Sequence, residues 1–312
     1  MKTPRFSHKQ AILILLRRVF LFNAVSSPFI TGDLFVNLVD YAPWNSKKRA
    51  LSNALRSLFL LESKKYKPVI NRKKLRRAKS LFIPSHELSR FIEFYKEDIR
   101  AKIIFAGNSD FNFLETPKIP TSVVKCYLQN SAVSDEKTIF TLPIGLENLA
   151  LGRAGLKRFH RNKKSQEIFD RVLIPPMSPT NKARYGALMW GRENPELADT
   201  FFELLPQSVY FDLAKKYKFV FCSEGNGFEN HRIWETLYQG SFPILLSTSW
   251  SKTLKYLNLP ILFVQRYSDI TSKLLADFHD KNRDFNPKSC ESLWEPYWRD
   301  LIDDICEYSN FN

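Results

Sequence analysis

Lys218–Leu246 reads KFVFCSEGNGFENHRIWETLYQGSFPILL, and the fold class turns on it. Phe219–Cys222 is a short, continuous apolar run of the kind that forms a buried strand. It leads into a loop with two glycines, Gly225 and Gly227. The pattern predicts a helix over 229–238, and Gly240 breaks the chain before a second apolar run at Pro243–Leu246. Strand, glycine loop, helix and strand in that order form a βα unit of a parallel sheet. Glycine lets backbone N–H groups approach a phosphate closely, and a helix N-terminus adds about half a positive charge there. Arg232 falls in the first helical turn, where its planar fork suits a diphosphate. Glu235 follows three residues on, on the same face, with a carboxylate suited to the hydroxyls of a ribose or sugar. Spacing alone fits equally well a surface ion pair of Arg232 and Glu235 with glycines that merely turn the chain. The pattern is neither a full G-x-G-x-x-G nor a Walker loop.

Similar units extend on both sides. Downstream, Ser251–Leu257 reads as a short helix, Ile261–Val264 as a strand and Ser268–Asp280 as a helix. Upstream, Arg171–Ile174 is a strand followed by the loop Pro175–Thr180. A helix or two then run through Asn181–Leu205, the later one opening after Asn194-Pro195. A polar, basic stretch at 151–167 without apolar periodicity separates this series from an earlier one. There, Phe35–Val39 reads as a strand and residues 46–63 as a helix. Leu81–Ile83 is a strand, and Ser85 is the expected cap of a helix with the stripe Leu88, Phe91, Ile92 and Tyr95. Lys102–Ala106, Val123–Leu128 and Thr138–Leu142 are further strands. The architecture is two α/β halves, 1–165 and 166–312, and ligands of such sheets bind beyond the strands' carboxyl ends.

The chain has 312 residues, 47 Lys and Arg against 32 Asp and Glu, and a net charge of +15. Residues 1–80 hold 18 of the cations and three acids (Asp33, Asp40, Glu62), so the whole excess lies there. An anionic partner near that end is expected. Between Lys64 and Lys79 nine cations occur without an acid, and Tyr66 is the sole aromatic. The scarcity of stacking rings favours an anionic membrane surface over nucleic acid. Ala11–Phe22 is apolar but broken by Arg17 and Arg18, too short to span a bilayer and wrongly charged for a signal peptide. The four cysteines, Cys126, Cys222, Cys290 and Cys306, form no CxxC pair and read as free, mostly buried thiols of a reducing compartment. The expected location is cytoplasmic, peripheral on the inner membrane face.

The 218–246 segment resembles the C-terminal motif of exostosin-like glycosyltransferases. In those families a strand leads to Pro/Ser-x-Gly-x-Gly, then His-Arg-x-Trp-Glu-Ala/Thr-Leu, then Gly-x-x-Pro-Ile/Val. The matching positions are Ser223, Gly225, Gly227, His231, Arg232, Trp234, Glu235, Leu237, Gly240, Pro243 and Ile244. Leu142–Asn148 is similar to the PIGLEN segment of related bacterial sugar transferases. Ser178, Thr180, Asn181 and Arg184 resemble their S-x-T-N-x-x-R loop, and Thr31–Phe35 their SGD-x-F start. Glu224, where many members carry arginine or another residue, and the compact length depart from the pattern.

The resemblance implies a GT-B fold, two Rossmann-like domains with mainly parallel sheets facing across a cleft. It implies sugar transfer from a nucleotide sugar, held by the second domain, to a cell-surface glycan or lipid-linked acceptor such as lipopolysaccharide or capsule. Arg232 would bind the donor diphosphate and Glu235 its ribose or sugar. Gly225, Asn226 and Gly227 would supply backbone donors, and Arg184 with Thr180 and Asn181 a second phosphate contact. His231 reads as orienting its helix. The chain has no Asp-x-Asp triplet, so no metal or other cofactor is expected, and helix dipoles and cationic side chains would meet the leaving diphosphate. An inverting reaction needs a base near the acceptor hydroxyl. Asp33, Asp110, Glu147 and Glu224 are the candidates, with His86 and His231 weaker ones. The alternatives are a non-catalytic nucleotide-sugar or glycan-binding relative and a basic nucleic-acid-binding protein.

Overall fold

The computed structural model describes residues 28–44, 68–148, 167–178 and 180–308. The apolar segment Ala11–Phe22, the helix expected over 46–63 and the connection 151–166 lie outside them.

Two sheets form, both wholly parallel. The first contains β1 (Ser80–Pro84), β2 (Ile103–Gly107), β3 (Lys125–Leu128) and β4 (Ile139–Thr141), in the order β1-β2-β3-β4. The second contains β5 (Phe169–Ile174), β6 (Ala198–Thr200), β7 (Tyr217–Phe221), β8 (Phe242–Leu246) and β9 (Leu262–Val264), in the order β6-β5-β7-β8-β9. β1 and β2 are buried at every residue, as expected for parallel strands covered on both faces. Helices are α1 (Gly32–Leu38), α2 (Arg72–Arg77), α3 (Leu88–Tyr95), α4 (Lys182–Glu193), α5 (Gln207–Ala214), α6 (His231–Tyr238), α7 (Ser249–Lys252), α8 (Ser272–Lys281) and α9 (Glu295–Tyr308). The α/β class and the two parallel sheets agree with the alternation read from the sequence. Among the described residues no helix is long and apolar enough to cross a membrane. All four cysteines are free, three of them buried.

Three expectations need correction. Phe35–Val39 is not a strand, because Phe35–Leu38 is the body of α1. Thr31 Oγ1 accepts the Leu34 N–H at 3.1 Å and Asp33 sits in the first turn, so a capped helix start overrides the strand propensity of Phe35 and Val36. No helix opens after Asn194-Pro195. The Asn194 carbonyl accepts the N–H groups of Leu197 and Ala198, both at 3.0 Å, and the turned chain pairs with β5 as β6. Ser85 does not cap α3; it is buried in a 3-10 turn, Ser85–Glu87, that precedes the helix.

The second sheet's far face is sealed by Val172, Phe219, Phe221, Ile244 and their neighbours, and the first sheet's by Leu81, Ile104, Leu128 and theirs. A third core runs between the halves, from Phe35, Phe105 and Tyr127 to Trp234, Leu237 and Trp298. Trp298, on α9, packs on the first sheet. It is fully buried and meets Phe35, Tyr127 and Phe105 edge-on, with centroids 5.1, 5.7 and 6.4 Å away. Next to it, Glu295 N–H donates to the Pro28 carbonyl at 3.0 Å. Trp298→Ala should therefore cost about 3–5 kcal/mol of stability, seen as a lower urea midpoint. Tyr185→Ala, at a 66% exposed position of α4, should stay within about 0.5 kcal/mol.

Candidate functional site

The order β6-β5-β7 means that the chain leaves β5 toward one edge and leaves β7 toward the other. Such a reversal opens a crevice at the strands' carboxyl ends. The loops that follow these two strands, 175–180 and 222–230, are the two that the sequence singles out. α4 begins after the first and α6 after the second. Each is capped by an asparagine: Asn181 Oδ1 accepts Arg184 N–H at 3.1 Å, and Asn230 Oδ1 accepts Arg232 N–H at 2.9 Å.

The loops are laced together by side chains. Asn181 Nδ2 donates to the carbonyls of Glu224 and Gly225, both at 2.9 Å. Arg184 donates from Nε to Glu224 O at 2.8 Å and from its terminal nitrogen to Ser178 O at 2.9 Å. Arg232 reaches Pro176 O at 3.2 Å and lies over the Tyr210 ring, 5.1 Å from its centroid. Asn181 and Arg184 thus hold the glycine loop, a role the sequence does not reveal. Thr180 is exposed at the loop's end. The Gly225 N–H is engaged by the Gly227 carbonyl at 3.0 Å, so it is not the phosphate donor expected of it.

The two guanidinium groups are near enough to feel each other. Burial, and then the charge of Arg232, hold the Arg184 pKa below its ordinary value. Burial also works against the Arg232 cation, but Tyr210 and Glu235 beside it outweigh that and its pKa is raised. Arg232 Nε and the Ser223 hydroxyl are buried without a hydrogen-bond partner among the described residues. Two cations, unused donors and a helix N-terminus lie together here, a set chemically suited to an anion with several oxygens. Glu235 lies behind Arg232, 7% exposed. Burial raises its pKa to about 7, Arg232 opposing and Glu147 adding to the shift.

Loops of the first sheet, again at its strands' carboxyl ends, pack directly on this unit. Asn112 Oδ1, after β2, accepts Phe228 N–H at 3.0 Å. Asn130 Oδ1, after β3, accepts Glu229 N–H at 2.8 Å. After β4, Ile144 N–H donates to Glu229 Oε1 at 3.1 Å, and the Gly145 carbonyl is 2.8 Å from His231 Nδ1. Exposed Asn226 meets Asp110 at 3.5 Å across this seam. Gly227 is required here: a Cβ would lie 2.5 Å from Asn130 Nδ2.

The acid candidates separate. Asp110 is exposed at the seam beside Asn226. Glu224 accepts the Trp250 indole N–H and is partly buried in the second half. Asp33 sits in the first turn of α1, its N–H bonded to Asn148 Oδ1 at 2.9 Å on the first-sheet side. His86 is exposed at the end of β1, 3.2 Å from Ser109 Oγ. Among the described residues no three His, Cys, Asp or Glu side chains converge as a metal cluster.

Sequence reasoning missed Glu229, Asn130, Asn112 and Tyr210. Glu229 is 3% exposed, its Oε1 accepting from Ile144 and from the Trp234 indole. Burial, against those two hydrogen bonds, raises its pKa to about 8. An acid just ahead of a helix reads in sequence as an ordinary dipole partner, and only the seam makes it a buried acid.

No protein-family model matches the chain, and no curated protein matches it.

Glu229 keeps its proton up to about pH 8 in the folded chain, while its unfolded carboxyl ionises from about pH 4.5 upward. Its contribution is therefore complete at low pH and is lost as the pH rises through about 8. Glu229→Gln should leave the melting temperature near its wild-type value at about pH 5 and flatten its decline toward about pH 9. Parallel wild-type and variant curves would contradict this assignment.

Proposed function

We propose that this chain is a glycosyltransferase of the GT-B kind, which moves a sugar from a nucleotide-sugar donor to a glycan or lipid-linked acceptor. The observation that carries the reading is the convergence of Arg184 and Arg232 at the crevice between the carboxyl ends of β5 and β7. The resemblance of 218–246 to exostosin-like enzymes points to the same residues.

In this reading the donor diphosphate lies across the crevice, against the two arginines and the N-terminus of α6. Arg184 and Asn181 fix the glycine loop and so set the height of the floor. Glu235 holds Arg232 from behind and offers its carboxyl to donor hydroxyls. The acceptor enters along the seam from the first sheet. Asp110 is the favoured base, because it lies at the seam beside the donor loop. It takes the proton of the acceptor hydroxyl as that oxygen bonds to the anomeric carbon. The bond from that carbon to the diphosphate oxygen breaks, and its electron pair leaves with the nucleoside diphosphate. The growing charge meets arginines already in place, so no metal is called on.

Thermal melts with a panel of nucleoside diphosphates test the donor site. At a hundred times its Kd, the right one should stabilise the wild type by about 2.7 kcal/mol. Arg232→Lys keeps the charge but loses the fork and should weaken binding at least about tenfold. A wild type that none of the panel stabilises would defeat the proposal. Once donor and acceptor are found, Asp110→Asn should lower kcat by about 10²–10⁴ while leaving nucleotide stabilisation intact. Unchanged turnover would transfer the role to Asp33 or Glu224.

A further inference from the structure

Within the basic stretch ahead of β1, Arg72–Arg77 form a capped helix. Asn71 Oδ1 accepts the Lys74 N–H at 3.0 Å, and α2 carries Arg72, Lys73, Lys74, Arg76 and Arg77 around one apolar residue, Leu75. Leu75 and Ala78 are buried and fix the inner face. Arg72 and Arg76 share one flank, where both meet the Asp98 carboxylate, at 3.3 and 2.6 Å. Lys73 and Arg77, a helical i,i+4 pair, lie further round, opposite the buried face, and are exposed along with Lys74. No carboxylate of the described residues pairs with these three. Lys79 and Lys102 lie near enough to Cys306 to oppose, together, the rise that burial, Asp40 and Asp303 give its thiol pKa.

Apolar side chains stand beside this charge. Val69 is 89% exposed just before the cap, and Phe94 is 62% exposed in the last turn of α3. Its neighbour Tyr95 lies under Arg72, 5.6 Å from the ring centroid to the guanidinium. A helix face of exposed lysine and arginine with no carboxylate partner among the described residues, flanked by exposed apolar side chains, complements phosphate headgroups over a hydrocarbon layer. A nucleic-acid strand is instead held against several stacking rings, whereas among the described residues the one well-exposed ring beside α2, Phe94, lies under Arg90 at 5.7 Å.

We propose that α2, with Val69 and Phe94, is a docking surface for an anionic membrane leaflet. Docking of this kind is independent of the proposed reaction. Its orientation has a consequence for that reaction. α2 feeds the amino end of β1, whereas the candidate site gathers at the strands' carboxyl ends. Five residues of β1 alone separate the two poles by about 16 Å. A docked molecule therefore holds its crevice off the bilayer, and a lipid-linked acceptor must present a projecting glycan rather than a headgroup.

Flotation of the full chain with vesicles tests the surface. Wild type should float with phosphatidylcholine vesicles containing about one-third phosphatidylserine, not with phosphatidylcholine alone, and high salt should release it. The triple variant Lys73→Ser, Lys74→Ser, Arg77→Ser should lose on the order of a hundredfold in partitioning at low salt, with an unchanged melting temperature. A matched variant on the opposite half, Lys273→Ser, Lys281→Ser, Lys288→Ser, should bind like wild type. Equal flotation of the first triple variant, or an equal loss in the second, overturns the proposal. So does a wild type that ignores the anionic vesicles, or one that single-stranded RNA strips from them, which assigns α2 to nucleic acid.

Discussion

The close approach of Gly227 to Asn130 is the constraint on which the site depends. With no side chain at 227, the loop after β7 can lie flat against the loop after β3. Only then do Asn112 and Asn130 reach the N–H groups of Phe228 and Glu229, and only then does Glu229 reach Ile144. A typical hydrogen bond of this kind contributes about 0.5–1.5 kcal/mol net, while a buried donor left unmet costs about 1–3 kcal/mol. The seam is thus held more by the cost of opening it than by any single contact. Asn181 and Arg184 grip the same loop from its other side. The loop is fixed from both halves at once, and the start of α6 is fixed with it.

That rigidity makes the electrostatics possible. Two guanidinium groups would move apart in a mobile loop. Here each is tied to a backbone carbonyl of the opposite loop, Arg184 to Glu224 and Arg232 to Pro176, and the Tyr210 ring and Glu235 lie against Arg232. The repulsion is retained in the folded chain, where an arriving anion relieves it. Charge arranged before the ligand arrives does not have to reorganise when it does.

The elements that sequence reading finds are those whose signal is local. β2, β7 and β8 are continuous apolar runs, and α6 shows its start at Asn230 and its end before Gly240. α1 misleads because Phe35 and Val36 carry strand propensity, while the deciding Thr31 cap depends on a single hydroxyl. β6 misleads because an edge strand of three residues is decided by its neighbour, not by its own sequence. The site divides along the same line. Arg232, Glu235, Asn181 and Arg184 stand out by spacing and resemblance. Glu229, Asn112 and Asn130 do not, because their role exists only where two distant loops meet. The charge on α2 is plain in sequence. Which of its cations are committed is not, since Asp98 lies more than twenty positions away.

The return of α9 to the first sheet also sets an order of events in time. Phe105 and Tyr127 are made well before the indole that covers them, Trp298, which follows only after the whole second sheet. The usual rule that the amino-terminal unit folds first as the chain emerges cannot run to completion here. The first sheet waits, with one aromatic face uncovered, until the second sheet and Trp298 beyond it have also left the ribosome. Contacts of such long sequence separation slow folding, and the uncovered face is where a chaperone would be needed or aggregation would begin.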